Sequence, residues 1–402
     1  MRFLIKLFWI ICLVVFSGTA FCETTEVNDF FQLDDALDGA GPGDVILLMD
    51  GTYQISGQFA LVPGADNITI RGKSGNREAV VIRGQGMYGG VNHGFWIDKD
   101  NITIEDITIQ DVANHCIQLH VNTDNFHLKN CILRDGFEQL LKVPYSSGVS
   151  DPSENGIVED CLFEYKAGVA PNWYTGGIDV HFGQDWIVRN NTFKDIQSPG
   201  GDLAEHTIHF WTDSEGTLVE QNLIINCDRG IGFGLGLVRH IGGIIRNNMI
   251  YHDGSGAFAD VGIGIESSSD TQIYNNTIYF NHDRYLNAIE YRFGGTYGTT
   301  IANNLTNKLI TSRNGGTATL ESNRTDAQPG WFVNPFSGDL HLADPGAIEV
   351  VDQGHTLSGL VNDFDGDRRP QGRGIEIGAD ELVIPSPNPG IPLLLLNHEN
   401  AI

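Results

Sequence analysis

Charge is scarce in this chain, and positive charge is scarcer still. Only 19% of the 402 residues are charged, against roughly 25% in an ordinary soluble domain. The 24 Lys and Arg face 51 Asp and Glu, a net charge of −27. Nucleic acid and anionic membrane surfaces need a basic footprint, so neither is expected as a partner. Helical periodicity is nearly missing beyond residue 40. Apolar runs of membrane length are missing after the first 22 residues: Leu393 to Leu396 is a short patch in a Pro-rich tail, and no stable membrane span is expected. The six cysteines show none of the C-x-x-C spacings of a zinc site. What is plentiful is glycine, 49 residues or about 12%, where ~7% is usual. Hydrophobic residues at 41% are enough to build a core, which excludes disorder over most of the length.

Residues 1–22 carry Arg2 and Lys6, then the apolar run Leu7 to Phe16, then the small residues Ser17 to Ala20. That order predicts a secretory signal peptide and a secreted, periplasmic or cell-surface protein. Cys22 follows Phe21, a poor neighbour for lipoprotein processing. Cys116, Cys131, Cys161 and Cys227 remain after the leader, and an exported compartment permits disulfides. A monomer is the expected state.

An internal repeat runs through most of the chain. It is seen in residues 101–109 (NITIEDITI), 125–133 (NFHLKNCIL), 156–163 (GIVEDCLF) and 185–193 (DWIVRNNTF). It continues in 217–224 (TLVEQNLI), 244–250 (IIRNNMI), 272–278 (QIYNNTI) and 300–306 (TIANNLT). Each is a short strand, a polar corner and another short strand. Aligned at the corner, one column reads Ile107, Cys131, Cys161, Asn191, Asn222, Asn248, Asn276 and Asn304, at spacings of 24 to 31 residues. A fixed corner with variable spacing predicts stacked coils whose insertions project as loops. The Asn side chains are placed to hydrogen-bond up the stack. Cys131 and Cys161 fall on adjacent coils, as a disulfide or as two stacked thiols. The one helical pattern is Asn28 to Ala40, with Phe30, Leu33 and Leu37 on one face, suited to capping the stack. The expected organisation is a leader (1–22), an all-β solenoid of about ten coils (27–320), a closing segment (321–381) and a Pro-rich tail (382–402).

The opening LDDALDGAGPGDVILLMDGTY at 33–53, followed by NITIRGKSG at 67–75, resembles the start of secreted right-handed parallel β-helix proteins of the pectate-lyase-like superfold. The N-N-T-I corners are similar to that family's repeat, and DGDRRPQGRGIEIGADE at 365–381 to its terminal segment. The resemblance covers roughly residues 27–381 and implies a single right-handed parallel β-helix. For chemistry it implies less, because the superfold hosts lyases, hydrolases, epimerases and non-catalytic surface proteins.

A second recurring strand precedes each corner. Its inward apolar pairs run from Phe95/Ile97 through Ile178/Val180 and Ile208/Phe210 to Ile289/Tyr291. Alternation along a strand then sets an outward ribbon: Trp96/Asp98, Gln118/His120, Lys142/Pro144, Asp179/His181, His209/Trp211, Gly232/Gly234, Gly264/Glu266 and Glu290/Arg292. Titratable groups beside a Trp and a bare glycine strip suit a sugar polymer, which needs a platform, a cleft and acid/base groups. Three of the longest insertions, 144–155, 166–176 and 196–205, flank the same stretch. In Gly230 to Gly236 the glycines recur at strand period with no helix following, so a dinucleotide fingerprint is rejected.

These residues predict a protein that binds and cleaves a uronate-containing polysaccharide by β-elimination. His181 or His209 is the expected base, with Asp179 orienting an imidazole. Lys142 or Arg229 supplies the positive charge that an enolate needs. Trp211 is the expected platform, and Gly232, Gly234, Glu266, Glu290 and Arg292 extend the binding face. His206 is read as an inward structural histidine. Ca²⁺ is the metal the resemblance implies, if one is used. Tyr174, Asp179 and His181 loosely resemble the Tyr…Asp-x-His cluster of alginate epimerases, so a uronate epimerase is one alternative. A glycoside hydrolase pairing Asp179 with Asp228 or Glu205 is a second, and a non-catalytic glycan-binding protein a third.

Overall fold

The computed structural model describes residues 22–200 and 205–382; the leader assigned above, apart from Cys22, and the tail from 383 lie outside them. The fold follows from the corner. In coil after coil the residue between two short strands has a positive φ: Asp106 (62°), Asn130 (46°), Asp160 (58°), Asn190 (55°), Asn247 (53°), Asn275 (48°) and Asn303 (56°). Asn and Asp tolerate this left-handed conformation better than other side chains. The chain therefore turns sharply there, and the following residue points into the stack.

That following residue is the Asn column. Asn191 Nδ2 donates to Asn222 Oδ1 at 3.0 Å, Asn222 to Asn248 at 3.0 Å, Asn248 to Asn276 at 2.9 Å and Asn276 to Asn304 at 2.9 Å. Asn323, not read from the sequence, ends the ladder at 2.9 Å. At its other end Cys161 N donates to Asn191 Oδ1 at 2.9 Å, and Cys131 N to Cys161 Sγ at 3.3 Å. Both cysteines are free and buried, stacked thiols rather than a disulfide.

The coils stack as a right-handed parallel β-helix. Parallel sheets of twelve and ten strands flank the Asn corner, and a nine-stranded sheet carries the ribbon from Phe95–Ile97 to Leu309–Arg313. The first coil contributes only an isolated bridge, Leu61 to Phe95, and the ribbon sheet has nine strands, the eight read from the sequence and Leu309–Arg313. Helix Phe30–Gly39 covers the N-terminal end and buries Phe30, Leu33 and Leu37; its N-cap Asp29 accepts from Gln32 N at 2.9 Å. No helix among the described residues is long and apolar enough to cross a membrane.

The closing segment does more than end the stack. It folds back along the corner and forms a second apolar cluster in which Trp331, Phe332, Leu340 and Ile377 pack on Met249, Tyr251 and Tyr279. The left-handed corner residues hold it: Asn247 Nδ2 donates to Asn362 O at 2.8 Å, Asn275 to Glu376 O at 2.9 Å and Asn303 to His355 O at 2.8 Å. Each corner pair thus splits its work, one side chain inward to the ladder and one outward to the C-terminal chain.

The Asn248 side chain has five polar contacts: its Oδ1 accepts from Asn222 N and Nδ2, and the two protons of its Nδ2 are shared among Val219 O, Arg246 O and Asn276 Oδ1. A buried partner left unpaired costs about 1–3 kcal/mol. Asn248→Ala is therefore expected to destabilise the protein by about 3 kcal/mol or more in urea unfolding, and Asn323→Ala at the ladder's end by less. Equal small losses at both positions would show that the ladder does not hold the stack.

Candidate functional site

The strand pairing sets the outward column as read from the sequence. Trp96 pairs with Gln118, Gln118 with Lys142, Lys142 with Asp179, Asp179 with His209, His209 with Gly232, Gly232 with Gly264 and Gly264 with Glu290. One row on, His181 pairs with Trp211 and Glu266 with Arg292.

Asp179 sits at the centre and is fully buried. Its Oδ2 accepts from Lys142 Nζ and, at 3.1 Å, from Tyr174 OH; its Oδ1 accepts from Trp211 Nε1 at 2.8 Å. Burial pushes its pKa up, but Lys142, His181 and His209 outweigh that and hold the carboxyl well below the usual range. Lys142 Nζ also reaches Tyr174 OH at 3.1 Å and His181 Nε2 at 3.2 Å. An ammonium only donates, so His181 Nε2 is the acceptor and its Nδ1–H donates to Thr212 Oγ1 at 2.9 Å. Burial, offset by Asp179 and reinforced by Lys142, lowers His181 to about 4. The imidazole is therefore neutral at physiological pH, with a lone pair directed at a cation. Burial likewise raises the Tyr174 phenol, with Asp179 adding to the rise.

His209 is fully buried beneath the indole of Trp211, their rings stacked at 5.1 Å. Its Nδ1 lies 3.1 Å from Glu205 and 3.8 Å from Asp179 Oδ1, and its Nε2 donates to Gly234 O at 3.1 Å. Burial alone would lower its pKa; Glu205, with Asp179 behind it, raises it instead. His209 lies wholly beneath the surface of the ribbon, unlike His181, which is partly exposed. Glu205 and Asp179 both face that one imidazole and are buried, so they do not flank a space where a sugar could lie. Asp228, the other carboxyl weighed for a hydrolase, is buried with its Oδ2 held by Ser198 N at 2.7 Å and is raised to about 6 by burial.

The glycine strip departs from expectation. It reads as a bare floor, yet the His206 ring lies on it: a Cβ on Gly232 would meet the ring at 2.4 Å and one on Gly264 at 3.1 Å. His206 is on the outer face, not the inner one, because strand alternation begins only at Ile208. Burial, then Arg229, lowers its pKa well below the usual value. Gly234 has a φ of 71° and passes so close to Glu266 O that no side chain fits.

Beyond the glycines the charged residues are bound to one another. Arg229 faces Asp260 at 3.2 Å, Arg292 Nη1 donates to Glu266 at 2.5 Å, and Arg313 donates to Glu290 at 2.9 Å. Glu290 also accepts from Tyr285 OH and Asn287 Nδ2. These carboxylates are neutralised by guanidinium groups and do not fit a Ca²⁺ cage as they stand. Among the described residues, three metal-ligating groups come together only at His341, Asp365 and Asp380, in the closing segment.

Several residues at the site carry no sequence signal. Thr212 has a φ of 56°, a costly conformation for a β-branched residue, at a corner where other coils place Phe182, Ser267 or Phe293. Glu138, half-buried and raised by burial near Lys142, accepts from Asn172 Nδ2 at 3.0 Å. Tyr145 lies over His181 at 6.5 Å.

No protein-family model matches the chain, and no curated protein matches it in sequence. Solved structures do match in fold. An alginate lyase from Paenibacillus sp. str. FPU-7 is 16% identical with a TM-score of 0.51, covering 74% of this chain and 97% of that one. Pectate lyase Pel9A is 14% identical with a TM-score of 0.50, covering 90% and 97%. A rhamnogalacturonan lyase is 12% identical with a TM-score of 0.50, covering 81% and 98%. At these identities the likeness is one of fold, the right-handed parallel β-helix.

Buried neutral histidines make this face acid-sensitive. Burial lowers His115 to about 3 and His181 to about 4, whereas an unfolded histidine titrates near ~6.5. Between those values the unfolded chain takes up protons that the native state refuses, so stability falls as pH falls from about 6.5 towards 4. Each such group contributes a slope of about 1.4 kcal/mol per pH unit. His115→Gln is expected to shrink the stability difference between pH 7 and pH 5, measured by urea unfolding. An unchanged difference would mean that His115 is not held neutral.

Proposed function

We propose that the protein is exported and that it binds and cleaves a uronate-containing polysaccharide by β-elimination on the outer ribbon. The observation that carries this reading is the neutral His181 Nε2 set 3.2 Å from the Lys142 ammonium at the edge of a buried network. Removing a proton α to a carboxylate needs a base and, beside it, a cation for the enolate. His181 is the base and Lys142 the stabiliser. Asp179 positions Lys142, Thr212 accepts from His181 Nδ1–H and orients the ring, and His209 with Glu205 supports the floor. The face of Trp211, 4.3 Å from His181 between ring centroids, packs against the sugar. Polysaccharide lyases of the same fold support the substrate class.

The hydrolase reading loses ground because Asp179 and Glu205 share one buried imidazole. The epimerase reading keeps one favourable observation, the bond from Tyr174 OH to Asp179 beside His181. Both chemistries begin with the same proton abstraction.

The test is incubation with alginate, polygalacturonate and neutral glycans, with calcium and with chelator, following ultraviolet absorbance of unsaturated uronate. Wild type is expected to show a rise, with His181→Ala and Lys142→Met reduced by about 10²-fold or more. Deuterium uptake from solvent without absorbance would move the assignment to an epimerase, and new reducing ends without unsaturation to a hydrolase. No turnover on any polymer would leave a glycan-binding protein.

A further inference from the structure

The ribbon is chemically unlike on its two sides. On the C-terminal side of Lys142 and Asp179 the outward groups are tied up in ion pairs, Arg292 with Glu266 and Arg313 with Glu290. On the N-terminal side they are aromatic and mostly uncharged. Trp96 stands in the column of Lys142, two coils away through Gln118. At ~4.8 Å per coil that is about 10 Å along the axis. Around it lie Phe59 with ring centroids at 6.0 Å, His93 at 5.6 Å and His120 at 6.3 Å. Phe59 is 51% exposed and Trp96 half-buried, on a rigid sheet.

The two ribbon tryptophans differ in what they have left to offer. Trp211 spends its indole N–H on Asp179. The N–H of Trp96 meets no acceptor among the described residues. A half-exposed indole with a free donor, flanked by a second exposed ring, presents both an apolar face and a polar edge. Sugar rings present the complement, C–H faces and hydroxyl rims.

We infer that Trp96 and Phe59 form a second sugar-stacking platform, two coils N-terminal of Lys142, so that a polysaccharide lies along the helix axis from Trp96 across Lys142 to Trp211. The inference rests on the proposed glycan-cleaving function and adds the course of the polymer and a subsite outside the charged centre. The occupant is another part of the same chain that reaches His181, because the platform and Lys142 share one continuous column.

Binding is measured in a His181→Ala background, which removes turnover, by calorimetry with hexasaccharides and trisaccharides of alginate and of polygalacturonate. Trp96→Ala is expected to weaken hexasaccharide binding about tenfold, about 1.4 kcal/mol, and trisaccharide binding less than twofold. Trp96→Phe, which keeps a ring, should retain most of the affinity. Circular dichroism and thermal unfolding of Trp96→Ala check that the coil is intact. Equal affinities of Trp96→Ala and its parent for the hexasaccharide overturn the platform, as does failure of the parent to bind any of these probes. A tenfold loss in a protein whose wild type never generates unsaturated product would keep the platform and sink the lyase; turnover with an unchanged hexasaccharide KM in Trp96→Ala would do the reverse.

Discussion

The structure depends on the register between coils. Parallel strands ~4.8 Å apart repeat every side chain in place, one coil above the next, and the buried Asn ladder locks the corner from which that register is counted. A slip of one residue would turn each inward side chain outward and would break the amide bonds at the same time. The loops between strands are free to vary in length because the corner resets the count. This is how Lys142, Asp179 and His209, which lie 37 and 30 residues apart in sequence, come to stand in one column.

The same rigidity permits a charge to be buried on an outer face. A fully buried carboxylate is costly unless it is paired and hydrogen-bonded. Asp179 meets that demand with Lys142, Tyr174 and Trp211, each delivered by a different coil or by the loop before the strand. Thr212 accepts a strained backbone to hold the far nitrogen of His181.

Period and corner were legible from the residues alone, since strand alternation and the Asn column are properties of single positions. Hence the inward pairs, the outward column and the capping helix stand where the spacing puts them. What was not legible depends on side-chain reach between coils. The full burial of Asp179 was not legible, because alternation says which way a side chain points and not what arrives to cover it. The glycines at 232 and 264 read as open floor because the ring that fills it belongs to His206, which lies before the strand and so outside the alternating pattern. The closing segment's attachment to Asn247, Asn275 and Asn303 was invisible for the same reason. Those positions announce a turn, and their second use appears only when a distant stretch of chain is laid beside them.

A polyanion approaching a chain of net charge −27 is the apparent difficulty for the proposed substrate. Beyond about 8 Å salt screens exposed charges at physiological ionic strength, and on the ribbon nearly every acid is already matched by a cation. Lys142 therefore governs the local outcome. Its three protons serve three acceptors: the Asp179 carboxylate, the Tyr174 oxygen and the neutral nitrogen of His181. A carboxylate of the proposed substrate would have to compete for one of those protons, and the two neutral acceptors, Tyr174 and His181, hold theirs less firmly than the Asp179 carboxylate does. On the proposed reading, a carboxylate that displaced His181 would gain its cation and free the lone pair of His181 in the same exchange. On that reading the lone pair of His181 is engaged by Lys142 until a group able to compete for the ammonium arrives, which an acidic sugar carries and a neutral sugar lacks.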